Sequence, residues 1–321
     1  MTKILIIRFS SIGDIVLTTP VIRCLKQQMK EVEFHFLTKN NFREVLQHNP
    51  YLSKIHVIEK NISEIIELLK QEKFDYIIDL HHNLRSFDVK RQLKIKAFTI
   101  DKLNVQKWLL VNLKLNFLPK IHIVDRYLKA VKKLGVKNDQ KGLDYFIAEE
   151  EKISLSSLPS THNKSFIAFV IGAKHFTKQL PFEKIISICK KINQPIILLG
   201  GKADVEKANL IEKACGNIIF NACGKYSISQ SASLIQQANA VITHDTGLMH
   251  IAAAFRKKIF SVWGNTVPAF GMFPYLPAKG SKIVEVKNLS CRPCSKIGYE
   301  KCPKKHFKCM KEINESEFLD V

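Results

Sequence analysis

Thr243-His244-Asp245-Thr246-Gly247-Leu248-Met249-His250 is a polar turn set between an apolar run and an alanine-rich segment. The run before it, residues 240–243, is short and β-branched and predicts a strand, whereas the segment after it is typical of a helix. Such strand-to-helix turns are where α/β sheets bind their ligands. The free N–H groups of the first helical turn would present a positive end to an anion there.

Two explanations of this turn are open. Asp245 and Thr246 can simply cap the helix, and Gly247 fits a tight turn without any ligand. That explanation does not account for His250, which follows Gly247 by three residues and lies beside the same turn. Because polar groups that cluster at such a turn favour a binding site, we predict an anion site here.

Apolar runs that predict strands alternate with helical segments along the rest of the chain. This βαβα alternation predicts an α/β protein with parallel sheets covered by helices. Strands are predicted at residues 4–7, 33–37, 55–58, 76–80, 143–147, 166–171, 195–199, 217–220, 240–243 and 258–262. Helices are predicted at 41–47, 62–71, 124–134, 182–191, 205–214, 229–237 and 250–255. The serine-containing stretch 149–165 loses this periodicity, so we expect two domains, 1–155 and 165–321.

The chain is strongly basic. Its 321 residues include 50 basic and 29 acidic ones, for a formal net charge of +21. Residues 1–150 contribute +9 (26 basic, 17 acidic) and the remainder +12 (24 basic, 12 acidic). This balance predicts affinity for nucleic acid, anionic lipid or phosphorylated small molecules. No apolar run approaches the ~20 residues of a membrane span, and the N-terminus lacks a signal-peptide pattern, so we expect a cytoplasmic protein.

A second turn of the same form lies near the N-terminus, where Ser11, Gly13 and Asp14 follow the strand at residues 4–7. Asp14 can accept the proton of an attacking hydroxyl, although a helix cap would also explain an aspartate here. The turn does not match G-x-G-x-x-G, which argues against a dinucleotide-binding oxidoreductase.

Two more turns carry side chains suited to anions. Lys174 and Lys178 follow the strand at 166–171, and lysine is a point-charge donor to phosphate oxygens. Arg85, with His81 or His82, follows the strand at 76–80, at the carboxyl end where such sheets bind ligands. For Arg85 and the two histidines, simple exposure at the surface is the competing explanation.

Residues 85–120 hold nine basic and two acidic residues, with Trp108-Leu109-Leu110 among them. A solvated helix face accounts for most of these lysines. A basic, partly apolar surface is also what rests on an anionic membrane leaflet, where each basic group contributes ~1 kcal/mol.

Four of the eight cysteines form a C-terminal cluster: Cys291, Cys294, Cys302 and Cys309, with His306 nearby. Four thiols could hold zinc tetrahedrally, but the C-x2-C-x7-C-x6-C spacing is not a matched pair of C-x2-C knuckles. Reduced thiols that pack a C-terminal loop are the alternative.

Taken together, these motifs resemble the bacterial lipopolysaccharide heptosyltransferases of glycosyltransferase family nine. The resemblance is carried by Ser10-Ser11-x-Gly13-Asp14, Lys178 to Pro181, Gly200-Gly201, Asp245-Thr246-Gly247-x-x-His250 and the end Cys309-Met310. It implies a GT-B architecture, in which two Rossmann-like domains face a cleft, the N-terminal one for the acceptor and the C-terminal one for the nucleotide sugar. By position, Asp14 matches the family's general base. Gln179-Leu180 stands where many relatives have a basic residue and tryptophan.

The resemblance further implies an inverting enzyme that needs no metal or other cofactor and transfers heptose from ADP-heptose to the Kdo-containing inner core of lipid A. Donor-binding residues would be Lys174, Lys178, Asp245, Thr246, Gly247 and His250, and acceptor-binding residues Ser11, Gly13, His82 and Arg85. We expect a monomer peripheral to the inner membrane, with no nucleic-acid partner. The rival hypotheses are the same reaction with another sugar or acceptor, a nucleic-acid-binding protein and a zinc-dependent interaction module.

Overall fold

The computed structural model describes residues 1–321 and divides them into two compact α/β units. The first unit comprises Met1–Leu103 and Ile121–Phe146, and the second comprises Asn104–Lys120 and Ile147–Val321. Each unit contains one sheet in which every strand pairing is parallel. The predicted α/β class with two parallel sheets is therefore confirmed.

The first sheet has five strands in the order β3-β2-β1-β4-β5. They are β1 (Thr2–Ile7), β2 (Val32–Lys39), β3 (Lys54–Ile58), β4 (Tyr76–Asp79) and β5 (Lys96–Thr99). The central strand β1 is buried from Ile4 to Ile7. A continuous apolar run of this kind is what a parallel strand covered on both faces requires.

The helices of the first unit are α1 (Ile12–Val16), α2 (Thr19–Gln28), α3 (Ile66–Gln71), α4 (Leu84–Leu93) and α6 (Ile123–Val131), and α5 (Asn104–Leu113) belongs to the second unit. The helix predicted at 41–47 is a short 3₁₀ segment, Asn40–Val45. Strand β5 was not predicted, because its four residues carry too little apolar periodicity.

The strand predicted at residues 143–147 is wrong. The buried guanidinium of Arg23 donates to both carboxylate oxygens of Asp139, at 2.7 and 2.9 Å, and also to Asp144. The backbone N–H of Asp144 donates to Thr19 Oγ1 at 2.9 Å. Side-chain bonds to α2, and not a strand ladder, therefore hold this segment.

The second sheet has six strands in the order β11-β10-β9-β6-β7-β8. They are β6 (Ile167–Val170), β7 (Ile196–Leu199), β8 (Ile219–Asn221), β9 (Ala240–His244), β10 (Lys258–Trp263) and β11 (Lys282–Glu285). The helices are α7 (Phe182–Lys191), α8 (Val205–Cys215), α9 (Ile228–Gln237), α10 (Gly247–Ala254) and α11 (Lys308–Lys311). The five strands predicted here are confirmed, and β11 is an addition. A bilayer-crossing helix is absent from both units, since none combines the necessary length and apolar character.

The unit boundaries differ from the predicted 1–155 and 165–321. The structure divides the chain after Phe146, and the stretch 149–165 is tied to the second unit, where Ser227 Oγ donates to Glu151 and Ile153 N donates to Ser233 Oγ, each at 2.9 Å. Residues 104–120 also belong to the second unit, because Lys114 Nζ donates to the carbonyl of Pro293 at 2.7 Å. The periodicity of apolar residues along the sequence cannot show that residues 104–120 pack with a unit formed mostly by residues after 146.

Candidate active site

Each sheet has one point at which the strand order reverses. In the first sheet it lies between β1 and β4, and in the second between β6 and β9. Loops that follow the two strands at such a point flank a crevice where open α/β sheets bind ligands. The site residues predicted from sequence follow these four strands and no others: Ser11, Gly13 and Asp14 after β1, His82 and Arg85 after β4, Lys174 and Lys178 after β6, and Asp245, Thr246, Gly247 and His250 after β9.

In the first unit, Asp14 is held by Arg8, an arginine whose side chain is only 11% exposed. Arg8 Nη2 lies 2.7 Å from Asp14 Oδ1, and the same guanidinium donates to the carbonyls of Leu80 at 2.6 Å and Ser10 at 2.8 Å. Burial lowers the pKa of Arg8, but the Asp14 carboxylate outweighs this effect and the pKa is raised overall. Arg8 therefore joins the loops after β1 and β4 and orients the carboxylate between them.

The cap at this turn is Ser11 and not Asp14. Asp14 is the third residue of α1, and its Oδ2 accepts the Ser11 backbone N–H at 3.1 Å and the Ser11 hydroxyl at 2.9 Å. Gly13 is buried beside it in the first turn of α1. One carboxylate oxygen thus serves the start of the helix, while the other faces Arg8.

The two histidines after β4 have different surroundings. The exposed His82 has its Nδ1 at 2.8 Å from the carbonyl of Ile100, whereas the His81 ring packs edge-on against Phe9 with centroids 5.3 Å apart. Burial and the nearby charge of Arg8 lower the pKa of His81 to about 3, so it is neutral, and its buried Nδ1 has no hydrogen-bond partner. His81 is therefore the histidine beside the Arg8–Asp14 pair.

Arg85, predicted to bind the acceptor, lies on the exposed side of α4. Together with Asn61, Ser63 and Gln92 it lines an open depression against the segment before α3. The structure brings His81 to Arg8 and Asp14, but the side chain of Arg85 borders a separate depression within the first unit.

Asp79, the last residue of β4, fixes the turn that carries these groups. Its Oδ1 accepts the backbone N–H groups of His81 and His82 at 3.0 and 2.7 Å, and its Oδ2 lies 2.8 Å from Lys90 Nζ and from Ser86 Oγ. Burial raises the pKa of Asp79, but the His82 N–H and Lys90 outweigh it and the pKa is lowered. This role of Asp79 was not predicted, because in sequence it is only the end of an apolar run.

In the second unit, the predicted donor residues Lys178 and Asp245 contact each other across the reversal point. Lys178 Nζ lies 2.6 Å from Asp245 Oδ2 and 3.3 Å from the Asp245 carbonyl oxygen. Thr266 Oγ1 donates to the same carboxylate oxygen at 2.9 Å. The loops after β6, β9 and β10 therefore meet at one carboxylate.

The structure does not show the alternative explanation, in which Asp245 and Thr246 cap α10 with their side chains. Thr246 occupies the N-cap position, but its side chain accepts no capping bond, and the carboxylate of Asp245 is bound to Lys178 and Thr266. The backbone N–H groups at the start of α10 consequently have no side-chain cap. A helix N-terminus in this state attracts anions.

His250 lies on the buried face of α10, where only 2% of the residue is accessible. Its predicted contact with the donor therefore stays a prediction. The neighbouring His244, also buried, has a clear structural role, because its Nε2 accepts the backbone N–H of Leu180 at 3.0 Å. Burial, with a contribution from Lys207, lowers the pKa of His244 to about 3, so it is a neutral acceptor that holds the loop after β6.

The two lysines predicted after β6 differ in exposure. Lys174 is exposed, and Lys178 is mostly covered. A third lysine, Lys207 of α8, was not predicted: its Nζ donates to the Ile171 carbonyl at 3.1 Å and to Gln179 Oε1 at 3.0 Å. Burial lowers the pKa of Lys207. Gln179, where the chain departs from the family pattern, is thus a fixed part of the loop.

Glycines allow these loops to pack closely. A Cβ atom on Gly172 would lie 2.3 Å from Asp204 Oδ2, and one on Gly264 would lie 2.7 Å from the carbonyl oxygen of Thr177. Thr177 is in turn bound by the C-terminal segment, because Tyr299 N donates to its Oγ1 at 2.8 Å. The cysteine-bearing segment thus supports the loop that carries Lys178.

The clustered cysteines are all free thiols. Cys291 Sγ lies 3.8 Å from His306 Nε2, and burial raises the pKa of Cys309 to about 12 and that of Cys294 to about 11. The one group of three metal-ligating side chains whose ligand atoms lie within 4.8 Å of one another is elsewhere, at His35, His56 and Glu72. Zinc and reduced thiols both remain open for the cysteines.

Comparison with known proteins agrees with this architecture. Lipopolysaccharide heptosyltransferase 1 of Campylobacter coli is 26% identical over 315 residues, which cover 89% of this chain and 92% of that protein. A family 9 glycosyl transferase structure from Veillonella parvula superposes with a TM-score of 0.79 at 20% identity, covering 99% and 95% of the two chains. The structure of E. coli ADP-heptose LPS heptosyltransferase II superposes with a TM-score of 0.69 at 21% identity, covering 99% of each chain.

These solved structures share the fold of the present chain, and the expected GT-B architecture of two parallel-sheet units is confirmed. The family model of glycosyltransferase family 9 (heptosyltransferase) matches residues 62–305, which is most of the chain. The chain therefore belongs to glycosyltransferase family 9, the heptosyltransferases, and is a glycosyltransferase.

Proposed function

We propose that the protein transfers heptose from ADP-heptose to the Kdo-containing inner core of lipopolysaccharide, with inversion at the anomeric carbon and without a metal ion. The names of the relatives support the substrate class, since one is a lipopolysaccharide heptosyltransferase and another an ADP-heptose LPS heptosyltransferase. The observation that carries the proposal is the Lys178–Asp245 pair at the strand-order reversal of the second sheet, beside the uncapped start of α10.

On the acceptor side, Asp14 is the general base. An acceptor hydroxyl attacks the anomeric carbon, its proton passes to the Asp14 carboxylate, and the bond from that carbon to the diphosphate oxygen breaks. Arg8 holds the carboxylate oriented in the turn, because its guanidinium is largely covered and is bound to two backbone carbonyls as well. Ser11, Gly13, His82 and Arg85 remain the proposed acceptor-binding residues, and we add His81.

On the donor side, the departing ADP carries the electron pair of the broken bond. Lys178, with Lys174 at the rim of the same loop, supplies positive charge to the diphosphate oxygens, and the N–H groups of Gly247 and the following residues add their dipole. These three sources of positive potential would stabilise the negative charge of the leaving diphosphate, as a magnesium ion does in many nucleotide-sugar enzymes. Thr246 and His250 complete the proposed donor set.

The proposed acceptor belongs to a membrane lipid, so the enzyme would act at the cytoplasmic face of the inner membrane. We propose that it does so as a monomer. No nucleic acid takes part in the reaction. The excess of basic residues supports work at an anionic surface, because it raises the local concentration of the protein there.

A donor screen tests the proposal. Nucleotide sugars are offered with a Kdo-bearing lipid A acceptor, and release of nucleoside diphosphate is measured with and without EDTA. ADP-heptose is expected to be the preferred donor, with no loss of rate in EDTA. Preference for another nucleotide sugar would contradict ADP-heptose as the donor without affecting the family assignment. A rate that falls in EDTA would contradict metal independence.

A further inference from the structure

Exposed apolar side chains are concentrated in residues 104–120, here called the 104–120 segment. It comprises about a twentieth of the chain, yet it holds five of the seventeen large apolar residues that are exposed. They are Val105, Trp108, Leu113, Leu115 and Phe117. Scattered single apolar residues are normal on a surface, but such a concentration marks an interaction site.

The 104–120 segment is folded, and its apolar side chains are exposed on an ordered surface. In α5, Leu110 is buried while Val105 and Trp108, one turn apart, point away from it. After the helix, Lys114 Nζ donates to the carbonyls of Val111 at 2.8 Å and Pro293 at 2.7 Å. This lysine ties the end of α5 to the cysteine-bearing segment and leaves residues 112–117 exposed.

The charge of the segment narrows the choice of partner. It contains Lys107, Lys114 and Lys120 and no acidic residue. A second copy of the chain would bring the same lysines and another net charge of +21 to the contact, so repulsion opposes self-association through this face. An anionic bilayer matches both features, since its headgroups attract the lysines and its interface accommodates Trp and Phe.

We propose that the 104–120 segment is the face by which the protein docks on an anionic lipid leaflet, with Trp108 and Phe117 inserted at headgroup depth. The physiological reason for docking rests on the proposed function, because the acceptor would be presented by such a leaflet. The docking itself depends only on the segment and on lipid charge, and it is measured on vesicles that contain no acceptor.

The two tryptophans of the chain make the insertion directly observable. Trp108 is 57% exposed, whereas Trp263 is 1% exposed and cannot change its surroundings without unfolding. On vesicles of phosphatidylethanolamine and phosphatidylglycerol in equal parts, tryptophan emission is expected to shift to shorter wavelength and to be quenched by doxyl-labelled lipid. Vesicles of phosphatidylcholine alone are expected to give neither effect. Trp108→Phe removes both effects while binding persists.

A matched pair of variants tests which apolar residues matter. Trp108→Ser with Phe117→Ser removes side chains that are 57% and 64% exposed, and Leu210→Ser with Leu319→Ser removes side chains that are 56% and 64% exposed elsewhere in the second unit. Co-sedimentation with the anionic vesicles is expected to fall at least about tenfold for the first pair and to stay within twofold for the second. Circular dichroism checks that both variants are folded.

Charge is tested in the same way. Lys107→Gln with Lys120→Gln is expected to weaken vesicle binding about 25-fold, since each of the two basic groups at a leaflet is worth about fivefold. Lys213→Gln with Lys279→Gln, two exposed lysines outside the segment, is the control for net charge. Equal losses in the two charge variants would mean that only the overall charge matters.

Two further results would overturn the docking face: Trp108 emission that is unchanged on bound vesicles, or serine variants that bind as tightly as the parent. Sedimentation velocity without lipid tests whether a second copy of the chain binds this face instead. If the protein sediments as a dimer, and the Trp108→Ser and Phe117→Ser changes abolish the dimer, the face is an interface between copies. Failure of heptose transfer with intact vesicle binding would reject the proposed function alone.

Discussion

Lys178 Nζ lies 2.6 Å from Asp245 Oδ2, so the lysine proposed to bind the donor diphosphate is already paired with a carboxylate from the neighbouring loop. The carboxylate also accepts the hydroxyl of Thr266 at 2.9 Å, which prevents it from turning away. A diphosphate must therefore share Lys178 with Asp245. The pair holds the ammonium group at the reversal point of the sheet before any ligand arrives, which lowers the ordering cost of binding.

Replacement of Lys178 by Ala is expected to weaken ADP binding about ten- to a hundredfold, because a hydrogen bond to a charged group contributes ~1.5–3 kcal/mol. The loss is expected to be larger than in Lys174→Ala, whose lysine is exposed on the same loop. Isothermal calorimetry with ADP measures both. Equal affinities of the parent and Lys178→Ala would remove this lysine from the donor site.

Asp14→Asn is expected to reduce kcat by about 10²–10⁴, the range for loss of a general base, with little change in ADP affinity. Arg8→Ala is expected to lower kcat as well, because the Arg8 guanidinium holds the Asp14 carboxylate at 2.7 Å. In Arg8→Lys, where a charge is kept, activity is expected to recover in part. Turnover of the Asn variant at the parent rate would exclude Asp14 as the base.

Gly264→Ala is expected to lower the free energy of unfolding by ~1–3 kcal/mol, the range for overpacking. The added Cβ would lie 2.7 Å from the carbonyl oxygen of Thr177 and from Met310 Cε, and would push the loop that carries Lys178. ADP affinity is therefore expected to fall together with stability. Gly201→Ala is the control, since an added Cβ would lie no closer than 3.9 Å to any atom beyond its chain neighbours, and it is expected to stay within ~0.5 kcal/mol.

Stability is expected to fall as the pH drops from 6.5 towards 5. The pKa of His56 is lowered to about 4 by burial and by His35, and those of His81 and His244 to about 3, in each case from 6.5. These imidazoles stay neutral in the folded chain and take up protons on unfolding below pH 6.5. Their contribution is thus complete above the unfolded value and is lost on acidification, by ~1.4 kcal/mol per pH unit for each histidine.

Urea unfolding at a series of pH values between 6.5 and 5 measures this slope. His244→Gln keeps an acceptor for the Leu180 N–H and removes one of the three imidazoles. It is therefore expected to reduce the dependence of the unfolding free energy on pH by the contribution of one histidine. A parent whose stability does not depend on pH in this range would contradict the buried, neutral state of the three histidines.

Local sequence was sufficient wherever a strand or helix depends on residues close together in the chain. The bounds predicted for α7 are those observed, and the strands of the second sheet were found because their apolar runs are continuous. The prediction failed at residues 143–147, where an apolar run is held by Arg23, more than a hundred residues away, and it missed β5 and β11, which have four residues each.

For the proposed site, the sequence alone placed Asp14, Lys178 and Asp245 in loops that each follow a strand, and the carboxyl ends of parallel strands are where such sheets bind ligands. Only the tertiary structure decided what those residues touch. These contacts depend on which strands are neighbours and on which way each turn directs its side chains: Arg8 with Asp14, Thr266 with Asp245, Lys207 with Gln179, and His81 with Phe9. Strand order is set by packing over the whole sheet, and the short-range pattern of apolar and polar residues does not encode it.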